Sequence, residues 1–409
     1  MLSTQTPLVS VEEAIGHILE RVTPMQALES VSIEQSLQRI LGEDLQSALA
    51  LPPFDNSAMD GYALRASDLT DSNMTLRLMD TAFAGHPAKS PVTPGTCIRI
   101  MTGAMLPIGA DTVIMQEQTE ADGTSIHFSK IPSLGANVRR AGEDVAKGAV
   151  ILTKGTAITP AIIGLMASMG VATCNVIAKP KVAIFSTGDE LKSLGEPLAP
   201  GQIYDSNRYA MKSMLERTGV EVIDLGILAD DAALIESTIL DAVAQADLLL
   251  TSGGVSVGDA DFVAQTLDRL GNIDFWRIAM KPGKPLAFGK IKNCLFFGLP
   301  GNPVSVMATY YQFVRVALAK LMGKNNCDSY RFPVPCGHAL KKDPGRTDFQ
   351  RGILQQNEQG QWQVYSAGLQ GSHVLSSMVA ANCFIILPRE SGDIEAGALV
   401  EVEPFYALV

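Results

Sequence analysis

The sequence offers little with which to hold a metal through sulfur or imidazole, to cross a bilayer, or to bind duplex phosphate. Its six cysteines, Cys97, Cys174, Cys294, Cys327, Cys336 and Cys383, form no C-x-x-C pair, and its five histidines show no ligand spacing. A structural zinc site is therefore not expected, and the thiols read as small reduced hydrophobes. Apolar runs such as 246–250 and 294–299 are far shorter than the roughly 20 residues a spanning helix needs, so no membrane partner is expected. Acidic residues outnumber basic ones, 43 to 32, for a formal charge of −11. A protein held by duplex phosphates needs the opposite balance, so no nucleic acid partner is expected, although a local basic pocket stays open. The first ten residues lack the basic stretch, apolar core and cleavage site of a secretion signal. The expected location is cytoplasmic.

What is present is ordinary core material, with 46% apolar residues, and abundant turn formers, 36 Gly and 22 Pro, in 409 residues. That length predicts several domains. Residues 11–21 carry apolar side chains at helical spacing (Val11, Ala14, Ile15, Ile18, Leu19) before Thr23-Pro24, which predicts an amphipathic helix. Between about 47 and 150 the pattern becomes short apolar runs separated by Gly and Pro, as in a β-barrel-like module. A helix is predicted over 157–170, with Thr159 as cap, Pro160 in its first turn and Gly170 as stop.

After Lys179-Pro180, strands and helices alternate in the order of a parallel sheet with crossover helices. Strands are expected at 182–186, 220–227, 247–250, 273–279 and 294–298, with helices at 206–217, 230–244 and near 262–270. A last helix should be capped by Asn302, take Pro303 first and end at Gly323. Beyond about 325 a small β region follows.

In an open parallel sheet, ligands bind beyond the carboxyl ends of the strands, where loops and free backbone N–H groups converge. Four loops qualify: 186–190, 251–261, 281–285 and 299–303. The second interleaves Ser252 and Ser256 with Gly253, Gly254, Asp259 and Asp261, which suits a phosphate with a divalent cation, or alternatively is only a tight turn. It matches neither G-x-x-x-x-G-K-[ST] nor G-x-G-x-x-G, so ATP hydrolysis and NAD binding lose their usual support. Lys281 and Lys284 bracket Gly283 in a proline-stiffened turn, which reads either as an oxyanion clamp or as a solvated surface turn. Asp60-Gly61 is either a tight turn or part of an acidic site, and Arg139-Arg140 beside Glu143-Asp144 either surface ion pairs or an anion and metal site.

Nine runs appear in sequence: PPFDNSAMDGYA from Pro52, RIMTGAMLP from Arg99, RRAGEDV from Arg139, FSTGDEL from Phe185, GQIYDSNR from Gly201, TSGGVSVGDADF from Thr251, KPGKPLAFG from Lys281, GLPGNPVS from Gly298 and GRTDFQRG from Gly345. Together, and in this order, they resemble the molybdopterin molybdenumtransferase family, called MoeA in bacteria and represented in animals by the E domain of gephyrin. The resemblance implies a multidomain α/β plus β protein. Its parts would be an N-terminal helix (1–26) able to pack with the α/β domain, an elongated linking domain (27–50 and 142–178), a β-barrel-like domain (51–141), a parallel α/β domain of the molybdopterin-binding type (179–324) and a C-terminal β domain (325–409).

The resemblance further implies an enzyme that inserts molybdenum from molybdate into adenylylated molybdopterin, requires Mg2+ and releases AMP. It would work as a homodimer whose active site is shared between subunits, with the molybdopterin adenylyltransferase as a further partner. Carried over residue by residue, Asp60, Glu190 and Asp144 are the catalytic candidates, and Asp60, Glu190, Asp259 and Asp261 the metal candidates. Ser252, Gly253, Gly254 and Ser256 would meet the pterin phosphate or nucleotide, with Asp230 and Asp231 nearby. Pro300 and Pro303 would shape the pocket wall, and Lys281, Lys284, Ser305 and Arg346 would hold the oxyanion. Two other classes stay open: a non-catalytic scaffold of the gephyrin type, and an ATP-dependent phosphotransferase, which would need a triphosphate motif that the sequence does not show.

Overall fold

The Lys181–Thr187 strand is buried from Val182 to Thr187, and its successive side chains enter different cores. Val182 and Ile184 go to one, Ala183 and Phe185 to the other. A strand apolar on both sides needs helices on both faces of its sheet. The computed structural model, which describes residues 8–253 and 262–405, shows that arrangement. The six-stranded sheet has the order 221–228, 181–187, 248–252, 294–299, 285–291, 272–277. Its first four strands are parallel, and the last two form an antiparallel hairpin beside them. Helix Ser206–Thr218 and the helical run from Pro303 cover one face, Ala232–Val243 and Phe262–Leu270 the other.

Helix Val11–Arg21 lays Val11, Ala14 and Ile18 into the first core. Its start is fixed by a reciprocal cap: Ser10 Oγ accepts the Glu13 N–H, and the Glu13 carboxylate accepts the Ser10 N–H. Ahead of it, the Val9 N–H donates to the Arg277 carbonyl, and the Ala279 N–H donates to the Val9 carbonyl.

Among the elements that differ from the sequence expectation, two lie beside the parallel strands. Strand Pro285–Ile291 was not anticipated, because Pro285 and Gly289 interrupt a seven-residue run that tertiary pairing nevertheless holds extended. The last helix is a run of three parts, Pro303–Thr309, a π-turn over Tyr310–Val314, and Arg315–Leu321. Asn302 occupies its N-cap position but makes no side-chain cap bond.

The described residues divide into two compact units, one comprising residues up to 29, 38–40 and from 177 onward, the other 30–37 and 41–176. The C-terminal β-sheet belongs to the first. Its strands follow the order 280–281, 347–356, 383–387, 399–404, 332–335, with 362–366 also paired to 347–356. Met280 and Lys281, lying just past the α/β hairpin strand, pair with Thr347 and Asp348 as its edge. One backbone segment thus serves both sheets.

The second unit centres on a mixed six-stranded sheet in the order 112–115, 61–64, 96–100, 75–82, 125–128, 119–122. Both faces are apolar: Tyr62, Leu64, Ile114 and Phe128 pack on one, Ala63, Ile98, Ile100 and Val113 on the other. A separate core gathers Val31 and Leu41 with Ile158, Met166, Cys174 and Val176. Helix Pro160–Ser168 starts where Thr159 Oγ1 accepts the Ile162 N–H.

Candidate functional site

Strands 181–187, 248–252 and 294–299 are parallel, so their carboxyl ends share one edge of the sheet. The 272–277 strand runs antiparallel to 285–291, which in turn runs antiparallel to 294–299, so the 278–284 turn opens at that same edge. Here lies a cavity of about 570 Å³. Gly253, Lys281, Lys284, Pro300, Ser305 and Arg346 line it, and no carboxylate does among the described residues. Lys281 and Lys284 thus stand in a cavity wall, with the Lys281 side chain 41% exposed. Three cations lining one concave space favour a compact anion, since their attractions add there.

Three lining residues were not singled out from sequence: Gln370, Gly371 and Ser372, from the C-terminal β region. They arrive because the Val304 N–H, at the start of the helical run, donates to the Ser372 carbonyl at 3.1 Å. Their only local signal is the pair of turn glycines, Gly368 and Gly371. Pro303 takes the first helical position behind the cavity wall.

Ser252 ends its strand buried, and its Oγ accepts from Asn207 Nδ2 at 2.8 Å. The same amide donates to the Gly301 carbonyl at 2.7 Å, so Asn207 clamps two of the loops together. Its Oδ1 is buried without a partner among the described residues.

Acidic candidates gather at the neighbouring loops. Burial, together with the charges of Asp189 and Glu190, holds the Asp230 carboxyl above its ordinary value. Glu190 folds back so that its Oε2 lies 2.5 Å from where a Cβ on Gly188 would sit, and the Gly188 φ of 143° is one that favours glycine. Asp231 has a structural task, its Oδ1 accepting the Leu234 N–H at 2.8 Å as the helix cap. Among the described residues no three His, Cys, Asp or Glu side chains are placed to hold one metal ion. Gly254, Ser256, Asp259 and Asp261 lie outside the described residues.

Asp60 and Asp144 belong to the second unit. Asp60 Oδ1 accepts from the Thr102 N–H at 2.7 Å and from its hydroxyl at 2.8 Å. These bonds hold the exposed carboxyl below its ordinary value. Gly61 is not a turn residue: it opens a strand, and a Cβ there would sit 1.9 Å from the Ile114 carbonyl oxygen. In the 139–144 segment, Arg140 pairs with Asp55 at 2.6 Å and Glu143 accepts the Arg140 N–H, leaving Asp144 exposed with its backbone N–H on Leu51.

Residues 9–170 match the MoeA N-terminal region (domain I and II), 183–320 the probable molybdopterin binding domain, and 333–405 the MoeA C-terminal region (domain IV). The molybdopterin molybdenumtransferase of Haemophilus influenzae is 47% identical over 98% of this chain and 100% of its own length. That of a Nostoc species is 36% identical over 97% and 94%. The crystal structure of the molybdopterin biosynthesis moeA protein from Pyrococcus horikoshii superposes with a TM-score of 0.86 at 31% identity, covering 98% of this chain and all of that one. A cation-lined cavity at the carboxyl edge of a sheet, three consecutive domain matches and full-length relatives agree, and the chain belongs to the MoeA family of molybdopterin molybdenumtransferases.

Proposed function

We propose that the protein transfers molybdenum from molybdate to adenylylated molybdopterin and releases AMP, completing the molybdenum cofactor. The observation that carries this reading is the cavity with Lys281, Lys284 and Arg346 in its lining and no carboxylate among the described lining residues, Asp348 pairing with Lys281 at 3.9 Å from outside that lining. A tetrahedral oxyanion dianion gains from each cation there, from Lys281 less than from the others because Asp348 already pairs with it. Ser305 and Ser372 add polar groups to the lining, and the Asn207 clamp keeps the Ser252 and Gly301 loops in register. Substrate is thus held by preordered groups, which lowers the cost of orientation at the reacting atoms.

Mg2+ belongs to the same reading. Glu190 and Asp230 supply the hard oxygen donors that such an ion prefers, with Asp60, Asp259 and Asp261 as further candidates. Mg2+ is commonly bound through one or two carboxylates plus substrate phosphates, so a complete protein cage is not required of the fit. Bound there, it would offset phosphoanhydride charge. The reading also includes a cytoplasmic homodimer in which Asp60 and Asp144 of one chain complete the site of the other, supplied by the molybdopterin adenylyltransferase.

The test is to incubate purified protein with adenylylated molybdopterin, molybdate and Mg2+ and to measure AMP. No molybdate-dependent AMP release would overturn the reading. Subunit sharing is tested by mixing inactive Asp60→Ala and Glu190→Ala chains: recovery to roughly a quarter of wild-type activity is expected, and none if each site is built within one chain.

A further inference from the structure

Met280 and Lys281 pair in parallel with Thr347 and Asp348, so Lys281 and Asp348 stand side by side on neighbouring strands. The Asp348 carboxylate is 2% exposed, yet its contacts are long: a 3.4 Å bond from Gln350 Nε2 and an ion pair to Lys281 Nζ at 3.9 Å. Gln350 makes its better bond, 2.9 Å, to the Lys341 carbonyl. Ion pairs of other buried carboxylates in this unit are tighter. Asp205 holds Arg208 at 3.0 Å, and Glu403 holds Arg315 and Arg331 at 3.0 and 3.1 Å. Lys342 and Arg346 also act on Asp348 through their fields. The Lys342 ammonium, however, donates to the carbonyls of Asp343, Arg389 and Ser391, whereas the half-exposed Lys281 side chain lines the oxyanion cavity. Lys281 is thus tethered loosely to a dry carboxylate while its cavity offers room for an anion.

We propose that Asp348 is a positioning residue for Lys281 that keeps oxyanion binding loose, a role that rests on the transferase reading above. With the cavity empty, the carboxylate neutralises the ammonium and fixes where it stands. When a dianion enters, Lys281 serves two negative groups at once, and part of its attraction stays with Asp348. Burial strengthens that competition, because a dry carboxylate has little solvent to take the place of the lysine. An oxyanion that must give up its metal gains nothing from the full grip of three free cations. Tight binding of the ground state lowers KM without raising kcat.

The test is calorimetric titration of the full chain with molybdate alone, for wild type, Asp348→Asn, Lys281→Ala and the double variant. Asparagine keeps an oxygen for Gln350 and removes only the charge. Asp348→Asn should bind molybdate about 10-fold more tightly, the scale of one charged contact released. Asp348→Ser, smaller and also uncharged, should gain likewise. In the Lys281→Ala background, Asp348→Asn should change the affinity by about 2-fold or less, because the side chain it acts through is gone. In turnover with adenylylated molybdopterin and Mg2+, the half-saturating molybdate concentration should fall by a like factor while kcat does not rise. Unchanged or weaker binding by both uncharged variants, an undiminished gain without Lys281, no saturable molybdate binding by the wild type, or a raised kcat would each overturn the proposal. AMP release with an affinity that ignores Asp348 sinks only this role. An affinity that follows Asp348 and Lys281 without AMP release supports the role and sinks only the transferase reading.

Discussion

Asp60, in the second unit, stands exposed ahead of the Gly61–Leu64 strand and takes two hydrogen bonds from Thr102. Asp348, in the first unit, is 2% exposed within a long strand and receives one long bond from Gln350. Hydrogen bonds stabilise the charged form of the one, and burial penalises the charged form of the other, so their carboxyl values move in opposite directions. The same side chain is thereby prepared for two tasks. A carboxylate kept ionised in water suits a cation or a proton acceptor's role, and one kept dry suits holding a neighbouring side chain in place.

The strongest way to break this comparison is to remove the exposed acids. Asp60→Ala and Glu190→Ala should each lower AMP release by about 10²-fold with little change in melting, and near-normal release by both would take chemistry away from these positions. Next, Lys284→Ala should raise the molybdate concentration for half-maximal rate by roughly 10-fold, the scale of one charged hydrogen bond. An unchanged molybdate dependence would detach the cation-lined cavity from the oxyanion.

A smaller effect sharpens the contrast between the two aspartates. Asp348 has a folded value above the unfolded carboxyl value near 3.8. Its stabilising effect is therefore full below that value and is lost as pH rises through the raised folded one. Asp348→Asn removes the dependence, so at pH 7 it should melt higher than wild type, by roughly 2 °C or more, with the gap closing toward pH 3. Asp60 has the reverse sign, its contribution present above 3.8 and lost as pH falls through its lowered folded value. Asp60→Asn should therefore melt slightly below wild type at pH 7, by roughly 1 °C or less at so exposed a site. Shifts of the same sign for the two variants would break the comparison.

Local signals carried far where one face or one cap decided the structure. Helix Val11–Arg21 was readable from apolar spacing, and the buried strands near 182, 248 and 294 from uninterrupted β-formers. Lys281 and Lys284 could be named before any fold was known because proline, glycine and charge marked their turn, and Arg346 because the run from Gly345 carries the family resemblance. Other features depend on distant partners. Strand Pro285–Ile291 carries two breakers and is extended because 272–277 and 294–299 flank it. Gln370 and Ser372 reach the cavity through one bond to Val304, and Asp348, although inside a run already noted, gains its meaning from the lysine set beside it. No spacing rule within a window reports such contacts.

The two-residue strand Met280–Lys281 bears on how such a protein can be cut and recombined. A chain ended after Gly323 would retain the whole α/β sheet, yet it would leave this segment as an unpaired edge. It would also strip Phe349, Phe384 and Phe405 from the core they share with Phe313 and Tyr310. Edges of that kind invite pairing between molecules. The last eighty or so residues are therefore not a detachable accessory. A recombination event that exchanged them would have to bring a matching strand partner for Lys281, or give up the cation whose placement that strand fixes.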